Sequence, residues 1–479
     1  MAKKAAIIGG GVIGGGWAAR FLLHGWDVHV SDPDPEAKRK IDEVVANARR
    51  SLPGLLDEAM PEEGRLTVSK KISDSVKEAD WIQESVPERL QLKREAYKEI
   101  QQECQHETII ASSTSGFTPS NLQENAARPS EIVVAHPYNP VYLLPLVEIV
   151  GSANNSDSTM EAARRTLEEI GMRPLRIRSE IDAHIGDRLL EAVWREALWL
   201  VRDGIATTSE IDETIRLGFG LRWAQMGLFE TYRIAGGEQG MKHFISQFGP
   251  ALKFPWTRLT DVPNLDDDLV HRITEQSDSQ SGRYSIRELE RIRDNNLVAI
   301  LRGLKAQNSA AGSHLRELDR KSAERLKGPV AKPLPTSNRT IPPDWTDYNG
   351  HVNEVYYLEI FSKATDRFLE FGGCGPDYAR EGFGFFTVDT RLRYLNEITE
   401  GERVRTFTQC LSFKGKKLHL FHVLKSRDGQ ELATGEHLLL HADLNLRKTV
   451  VPAPQRVKVL QEIADAHSAL RTPAAASLL

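Results

Sequence analysis

From Ala5 to about Arg178 the chain alternates short apolar runs with amphipathic stretches. The runs AAIIGG, DVHVSD, WIQESV, TIIASS and IVVAHP are almost continuously apolar, as strands buried on both faces must be. Between two of them, the stretch from Glu88 to Cys104 has helical spacing. This alternation predicts a parallel, helix-covered sheet, an α/β domain over residues 1–180. The pattern then changes. AHIGDRLLEAVWREALWLVRDG places apolar residues at helical spacing, and helical stretches continue to about Lys305, predicting an all-α domain over residues 181–305. Residues 306–337 are polar, charged and then proline-bearing (KGPVAKPLPTS), which predicts a linker. Beyond it, a helix from Asn353 to about Phe371 precedes FFTVDTRLRY, RVRTFTQCLSF, KLHLFHVLKS and ELATGEHLLLHADL. One helix followed by strand-like runs predicts an α+β domain over residues 338–452, and a tail over 453–479 with one short helical stretch before a frayed TPAAASLL end.

Composition narrows the class. The chain has 479 residues, and a formal net charge of -5 is small for that length, giving no footprint for nucleic acid or an anionic membrane. Three scattered cysteines (Cys104, Cys374, Cys410) suggest neither a disulfide framework nor a zinc site, so no metal is expected. The chain opens MAKKAAIIGGG and runs directly into a strand, and no apolar run approaches a membrane span. The expectation is a cytoplasmic protein.

The first candidate chemistry is Gly9-Gly10-Gly11-Val12-Ile13-Gly14, a G-x-G-x-x-G pattern. Glycine triples also occur in ordinary turns, so the pattern alone is weak. Its context strengthens it, because it follows a buried strand, opens a helix, and is followed by a second strand ending at Asp32. Gly9 would allow the tight turn, Gly11 the close approach of a pyrophosphate, and Gly14 close helix–strand packing, with Val12 and Ile13 at the helix N-terminus. Asp32 would accept from both ribose hydroxyls and repel a 2′-phosphate. The expected cofactor is NAD.

A second cluster comprises ASSTSGF with Ser115, AHPYNP with His136 and Asn139, and LVEIV with Glu148. Alcohol oxidation needs a base for the hydroxyl proton while hydride leaves the same carbon, and an imidazole backed by a carboxylate suits that task. From the residues alone, His136 fits a strand-end cap as well as it fits a base. A resemblance bears on this choice. Residues up to about 305 resemble the 3-hydroxyacyl-CoA dehydrogenase family, and more narrowly its short-substrate branch with L-carnitine dehydrogenase and lambda-crystallin. The resemblance implies a Rossmann-type domain in which His136 is the catalytic base, Glu148 its partner and Ser115 the hydrogen bond to the substrate oxygen. It places Glu88 and Lys93, in PERLQLK, around the nicotinamide and substrate, and matches Asn139 to the asparagine after the histidine.

One departure bears on the substrate. Where the fatty-acyl enzymes have an asparagine in a G-F-x-x-N-R-L stretch, this chain has Asp187 in AHIGDRLLE. A carboxylate there suits a substrate carrying positive charge, as carnitine does. GLRWAQMGLFETY also looks like the carnitine branch. Aromatic faces hold quaternary ammonium groups, and Trp223, Phe229, Tyr232, Phe254 and Trp256 are the candidates, although such spacing also fits helix core.

In DWTDYNGHVNEVYYLEIF a glycine turn feeds a long helix, with Asp347 before it and Asn353 at its start. An acid near a helix N-terminus is often only a cap. The segment, however, resembles the D-x-x-G-H-V-N-N-x-x-Y motif of hotdog-fold acyl-CoA thioesterases, over about 110 residues in order, although Glu354 replaces the second asparagine. That resemblance implies Asp347 as nucleophile or base, Asn353 near the thioester, and a homodimer. The two resemblances in one chain are similar to the bifunctional family that oxidises L-carnitine to 3-dehydrocarnitine and hydrolyses betainyl-CoA to glycine betaine and CoA. The alternatives are a short-chain 3-hydroxyacyl-CoA dehydrogenase with an accessory thioesterase domain and, from the lens role of lambda-crystallin, a non-enzymatic protein.

Overall fold

The apolar runs of the N-terminal part become strands of one sheet. The computed structural model describes residues 2–235, 243–246, 257, 264, 266–323 and 330–473. In it β1 (Lys4–Ile8), β2 (Asp27–Ser31), β3 (Leu66–Ser69), β4 (Trp81–Glu84), β5 (Ile110–Ser112), β6 (Ile132–Pro137), β7 (Leu146–Val150) and β8 (Arg173–Arg176) lie in the order β3-β2-β1-β4-β5-β6-β7-β8. The first six are mutually parallel, as expected of a Rossmann-type sheet. β7 departs from that expectation by pairing antiparallel with β6. Residues 138–145 between them are too few for the helical crossover that a parallel neighbour requires. The first helix, Val12–Leu23, packs Phe21 against Trp81 of β4 and against its own Trp17, all three fully buried.

After the sheet come helices Gly186–Arg202, Thr208–Thr214, Gly220–Ala235, Asp267–Ser281 and Ile286–Ala306. The first of these, here the junction helix, leaves Leu189, Leu190 and Trp194 exposed. The 306–337 stretch, expected as a linker, differs from that expectation. It holds a helix, Ala311–Ala323, and the start of strand β9 (Leu334–Thr340). Leu315 is a lone buried apolar residue among charges, so periodicity hid the helix, and Pro335 sits in an edge strand, where a missing N–H is tolerated.

Contacts divide the chain into two units, Met1–Ala48 with Pro61–Arg316 and Arg49–Met60 with Glu317–Leu479. In the second unit β9, β10 (Phe383–Tyr394), β11 (Arg403–Lys414), β12 (Lys417–Ser426) and β13 (Glu431–Asp443) form an antiparallel sheet ordered β10-β13-β12-β11-β9. The sheet curls round a central helix, Glu354–Phe371, in the hotdog arrangement. That helix buries Tyr357, Ile360, Phe361, Ala364, Thr365, Phe368 and Leu369, a stripe at spacings of three and four. Residues 49–60 attach at the free edge of β9, where the Asn338 N–H donates to the Glu58 carboxylate at 3.2 Å. Burial pushes the Glu58 carboxyl up to about 8.

A row of polar side chains crosses this hotdog core. Thr365 Oγ1 lies 3.0 Å from both His422 Nε2 and His437 Nδ1, and His422 Nδ1 lies 2.8 Å from Thr408 Oγ1. Burial holds His422 well below the usual imidazole range and pushes His437 down to about 4. Above pH 6.5 the His437 ring is neutral in folded and unfolded chains alike. As the pH falls from 6.5 toward 4, the unfolded chain gains a proton that the folded domain refuses, so stability is lost through that window. His437 alone contributes on the order of 3 kcal/mol to that loss. Hydrogen exchange of β12 and β13 peptides should therefore accelerate sharply between pH 6.5 and 4, after correction for the intrinsic pH dependence. Equal protection across the window would show that the histidines titrate freely.

Candidate active sites

The glycine loop joins β1 to the first helix at the point where the strand order reverses. Gly9 has φ +95°, and a Cβ there would meet the Ser85 carbonyl oxygen at 2.6 Å. A Cβ on Gly14 would meet the Gly9 carbonyl oxygen at 1.8 Å, so only glycine allows the helix to start this close to the strand. Above Gly11 nothing lies within 4 Å of an ideal Cβ, which leaves open space over the helix N-terminus beside Val12 and Ile13. Asp32 follows β2, and its carboxylate accepts from the Gly10 N–H at 2.6 Å and the Asp34 N–H at 2.8 Å. Two N–H donors fix the carboxylate while leaving lone pairs for further donors. This set fits a dinucleotide.

His136 and Glu148 are directly opposed residues of the antiparallel pair β6–β7. His136 Nδ1 lies 2.9 Å from Glu148 Oε2, and both side chains are buried. The other oxygen, Oε1, accepts from the Ile185 and Gly186 N–H groups at 3.2 and 3.1 Å, at the start of the junction helix. Burial alone would raise the Glu148 carboxyl, but the hydrogen bonds from His136, Gly186 and Tyr138 hold it below the usual carboxylate range. A Cβ on Gly186 would lie 1.6 Å from the Tyr138 hydroxyl, so this helix start also depends on glycine. Asp187 places Oδ1 3.9 Å from His136 Nε2. Ser115 is half-buried, and among the described residues its hydroxyl makes no hydrogen bond. Asn139, two residues after the strand, is exposed.

Glu88 and Lys93 sit in a buried charged network. Lys93 is 1% exposed and donates to Glu84 at 2.9 Å and to the Val86 carbonyl at 3.2 Å, with Glu88 Oε2 also at 3.2 Å. Glu88 in turn accepts from the Gly116 N–H at 3.1 Å and from the Thr114 hydroxyl, gripping the loop on both sides of Ser115. Burial would raise its carboxyl, but Thr114, the Lys93 charge and Gly116 outweigh burial and lower it. Sequence reasoning missed Glu84, which ends β4 and also accepts from Tyr97 and Ser112 at 2.6 Å. A glutamate closing a strand expected to be buried was the available signal. It also missed Tyr138 and His184, for which spacing offered none.

The aromatic candidates are not gathered into a common cage among the described residues. Trp223 pairs with Phe219 at 4.6 Å, Tyr232 stacks on Phe244 at 4.6 Å, and Phe229 is exposed. Gly227, at φ +73°, kinks the helix between Trp223 and Tyr232. Phe254 and Trp256 lie outside the described residues.

In the hotdog unit Asp347 occupies a turn closed by its own backbone. Its N–H donates to the His351 carbonyl at 3.0 Å, and its carbonyl accepts from the Gly350 N–H at 3.0 Å. The side chain accepts from the Asn349 N–H at 2.8 Å and remains half-buried. Asn353 caps the central helix, accepting from the Val355 N–H at 3.1 Å, so its side-chain oxygen is committed to the backbone. His351 faces Glu397 at 3.1 Å.

These two sites match two known kinds of protein. Residues 4–181 match the family described as 3-hydroxyacyl-CoA dehydrogenase, NAD binding domain; residues 184–266 match its C-terminal domain, and residues 341–464 match the thioesterase-like superfamily. A Ruegeria pomeroyi protein named L-carnitine dehydrogenase/betainyl-CoA thioesterase is 58% identical over 474 residues, 98% of this chain and 97% of its own. A Mesorhizobium japonicum protein named L-carnitine dehydrogenase is 56% identical over 311 residues, 65% of this chain and 85% of its own. The solved structure of 5-formyl-3-hydroxy-2-methylpyridine 4-carboxylic acid 5-dehydrogenase, an NAD+-dependent dismutase, is 28% identical with a TM-score of 0.54, covering 64% of this chain and 99% of that one. With a dehydrogenase site and a thioesterase-type turn in one chain, and near-full-length identity above half, the chain belongs to the L-carnitine dehydrogenase/betainyl-CoA thioesterase family.

Proposed function

We propose that the chain oxidises L-carnitine to 3-dehydrocarnitine with NAD, and that its C-terminal domain hydrolyses betainyl-CoA to glycine betaine and CoA. The observation that carries the oxidation is the His136 ring anchored at Nδ1 by Glu148. An ionised carboxylate only accepts, so Nδ1 holds the hydrogen and Nε2 is the bare nitrogen that takes the hydroxyl proton. Glu148 then favours the imidazolium that forms, and the Ser115 hydroxyl hydrogen-bonds the substrate oxygen. When bound, the nicotinamide supplies the acceptor for the hydride leaving the same carbon. Gly9, Gly11, Val12, Ile13 and Gly14 would cradle the pyrophosphate, Asp32 would take the ribose hydroxyls, and Glu88 and Lys93 would lie at the nicotinamide end.

Asp187 supports carnitine over an acyl-CoA. Carnitine carries its quaternary nitrogen on the carbon next to the carbinol carbon, so a hydroxyl at Nε2 brings that cation close to the Asp187 carboxylate. A 3-hydroxyacyl-CoA brings no cation there. Asn139, Trp223 and Tyr232 stay candidates for contact with the substrate. In the second site Asp347 attacks the thioester or activates water, while the amides of residues 350–353 polarise the carbonyl and Asn353 holds the helix start in place. A homodimer is supported by β10, an edge strand exposing Phe386 and Val388, and by the exposed Leu189, Leu190 and Trp194 of the junction helix. Three buried thiols suit the cytoplasm, and among the described residues no helix is long and apolar enough to cross a membrane.

Three measurements test this reading. His136→Ala should cut NADH formation from L-carnitine by roughly 100- to 10,000-fold with NAD affinity retained, and undiminished turnover would remove His136 as base. Asp187→Asn should lower kcat/KM for L-carnitine by roughly 10- to 100-fold while sparing 3-hydroxybutyryl-CoA, and a wild-type preference for the CoA ester would overturn the carnitine assignment. Asp347→Ala should abolish betainyl-CoA hydrolysis and leave alcohol oxidation at its wild-type rate; a full thioesterase rate would leave the C-terminal domain a dimerisation module.

A further inference from the structure

The turn from Ala183 to Asp187, between the sheet and the junction helix, touches the loop bearing Ser115, His136 and Glu148. The Ala183 N–H donates to the Gly116 carbonyl at 3.0 Å, and His184 Nε2 lies 3.2 Å from the Thr114 carbonyl. These two carbonyls flank Ser115. The Ile185 and Gly186 N–H groups hold Glu148, and Asp187 faces His136. The His184 ring packs on the His136 ring at 5.5 Å between centroids.

His184 is held in this place against local preference. Ala183 and His184 both have left-handed backbone, at φ +60° and +50°, which is unfavourable for residues with a Cβ. His184 is fully buried. A carbonyl only accepts, so Nε2 carries the hydrogen and Nδ1 is a bare acceptor, with no partner among the described residues. A phenylalanine, the residue at this position in the G-F-x-x-N-R-L pattern, would fill the same space without burying an unsatisfied acceptor. The histidine is therefore compensated through its single N–H, the one to Thr114. Burial and the neighbouring His136 hold the ring below the usual imidazole range, so it stays neutral beside the base.

We propose that His184 is a positioning residue for the alcohol oxidation, its Nε2–H gripping the Thr114 carbonyl so that the loop bearing Ser115 keeps register with His136. Loss of that grip lets the Ser115 hydroxyl drift from the reacting oxygen while the base and cofactor stay in place. The inference rests on the dehydrogenase reading above. The test compares wild type, His184→Phe, which keeps the ring and removes the N–H, and His184→Gln, which restores a donor. His184→Phe should keep the wild-type melting temperature and NAD affinity. Its kcat for L-carnitine should fall roughly 10- to 100-fold with KM changed less than about threefold, and His184→Gln should recover part of the loss. Exchange in the peptide spanning residues 112–118 should quicken in His184→Phe alone, a readout that needs no substrate. Wild-type kcat and wild-type exchange in His184→Phe would overturn the proposal. So would a drop in melting temperature shared by both variants with exchange raised throughout the unit, which makes His184 structural only. Absence of NADH formation in the wild type would instead sink the carnitine reading, and the 112–118 exchange would then decide the role of His184 alone.

Discussion

The dehydrogenase half is organised around one buried carboxylate. Glu148 uses one oxygen to hold the His136 ring and the other to hold the first two N–H groups of the junction helix. A buried charge persists only when its lone pairs are filled, and here the filling partners are the proposed base and a helix N-terminus. Meeting that electrostatic requirement also joins the end of the sheet to the start of the helical segment. Because Glu148 faces His136 across an antiparallel pair, the reversal of β7 is part of the same device. A parallel strand at that place would need a crossover connection.

A second buried carboxylate, Glu84, does comparable work on the other side of the loop bearing Ser115. It neutralises Lys93, which reaches Glu88, which in turn grips Thr114 and Gly116. Ser115 therefore rides on a short loop braced by the Glu84–Lys93–Glu88 network on one side and by the 183–187 turn on the other. Among the described residues its own hydroxyl makes no hydrogen bond, which suits the proposed contact with the substrate oxygen.

The hotdog unit buries polar groups for a different end. Its Thr365, His422, His437 and Thr408 row links the central helix to the sheet with neutral hydrogen bonds, and burial keeps the rings uncharged. Asp347 stands apart from that row in an exposed turn. Its geometry depends on backbone closure through Gly350 and His351 rather than on core packing.

Much of this was legible from residues in order. Continuous apolar runs set the parallel strands, and the spacing of glycines before a helix marked the pyrophosphate position, because both depend on contacts a few residues apart. The pairing of His136 with Glu148 and the role of Asp347 were implied by the family resemblances, because the residues alone fit a strand-end cap and a helix cap as well. The β6–β7 reversal, the Glu84–Lys93 network and the His184 turn could not be read that way. Each joins residues distant in sequence and depends on which buried group meets which partner. Local sequence determined which elements form and which chemistry they carry. Only tertiary packing decided that Asp187 faces Nε2 of His136, and that Asn353 is spent on capping a helix, since a side chain's partner is set by the three-dimensional neighbours that bury it.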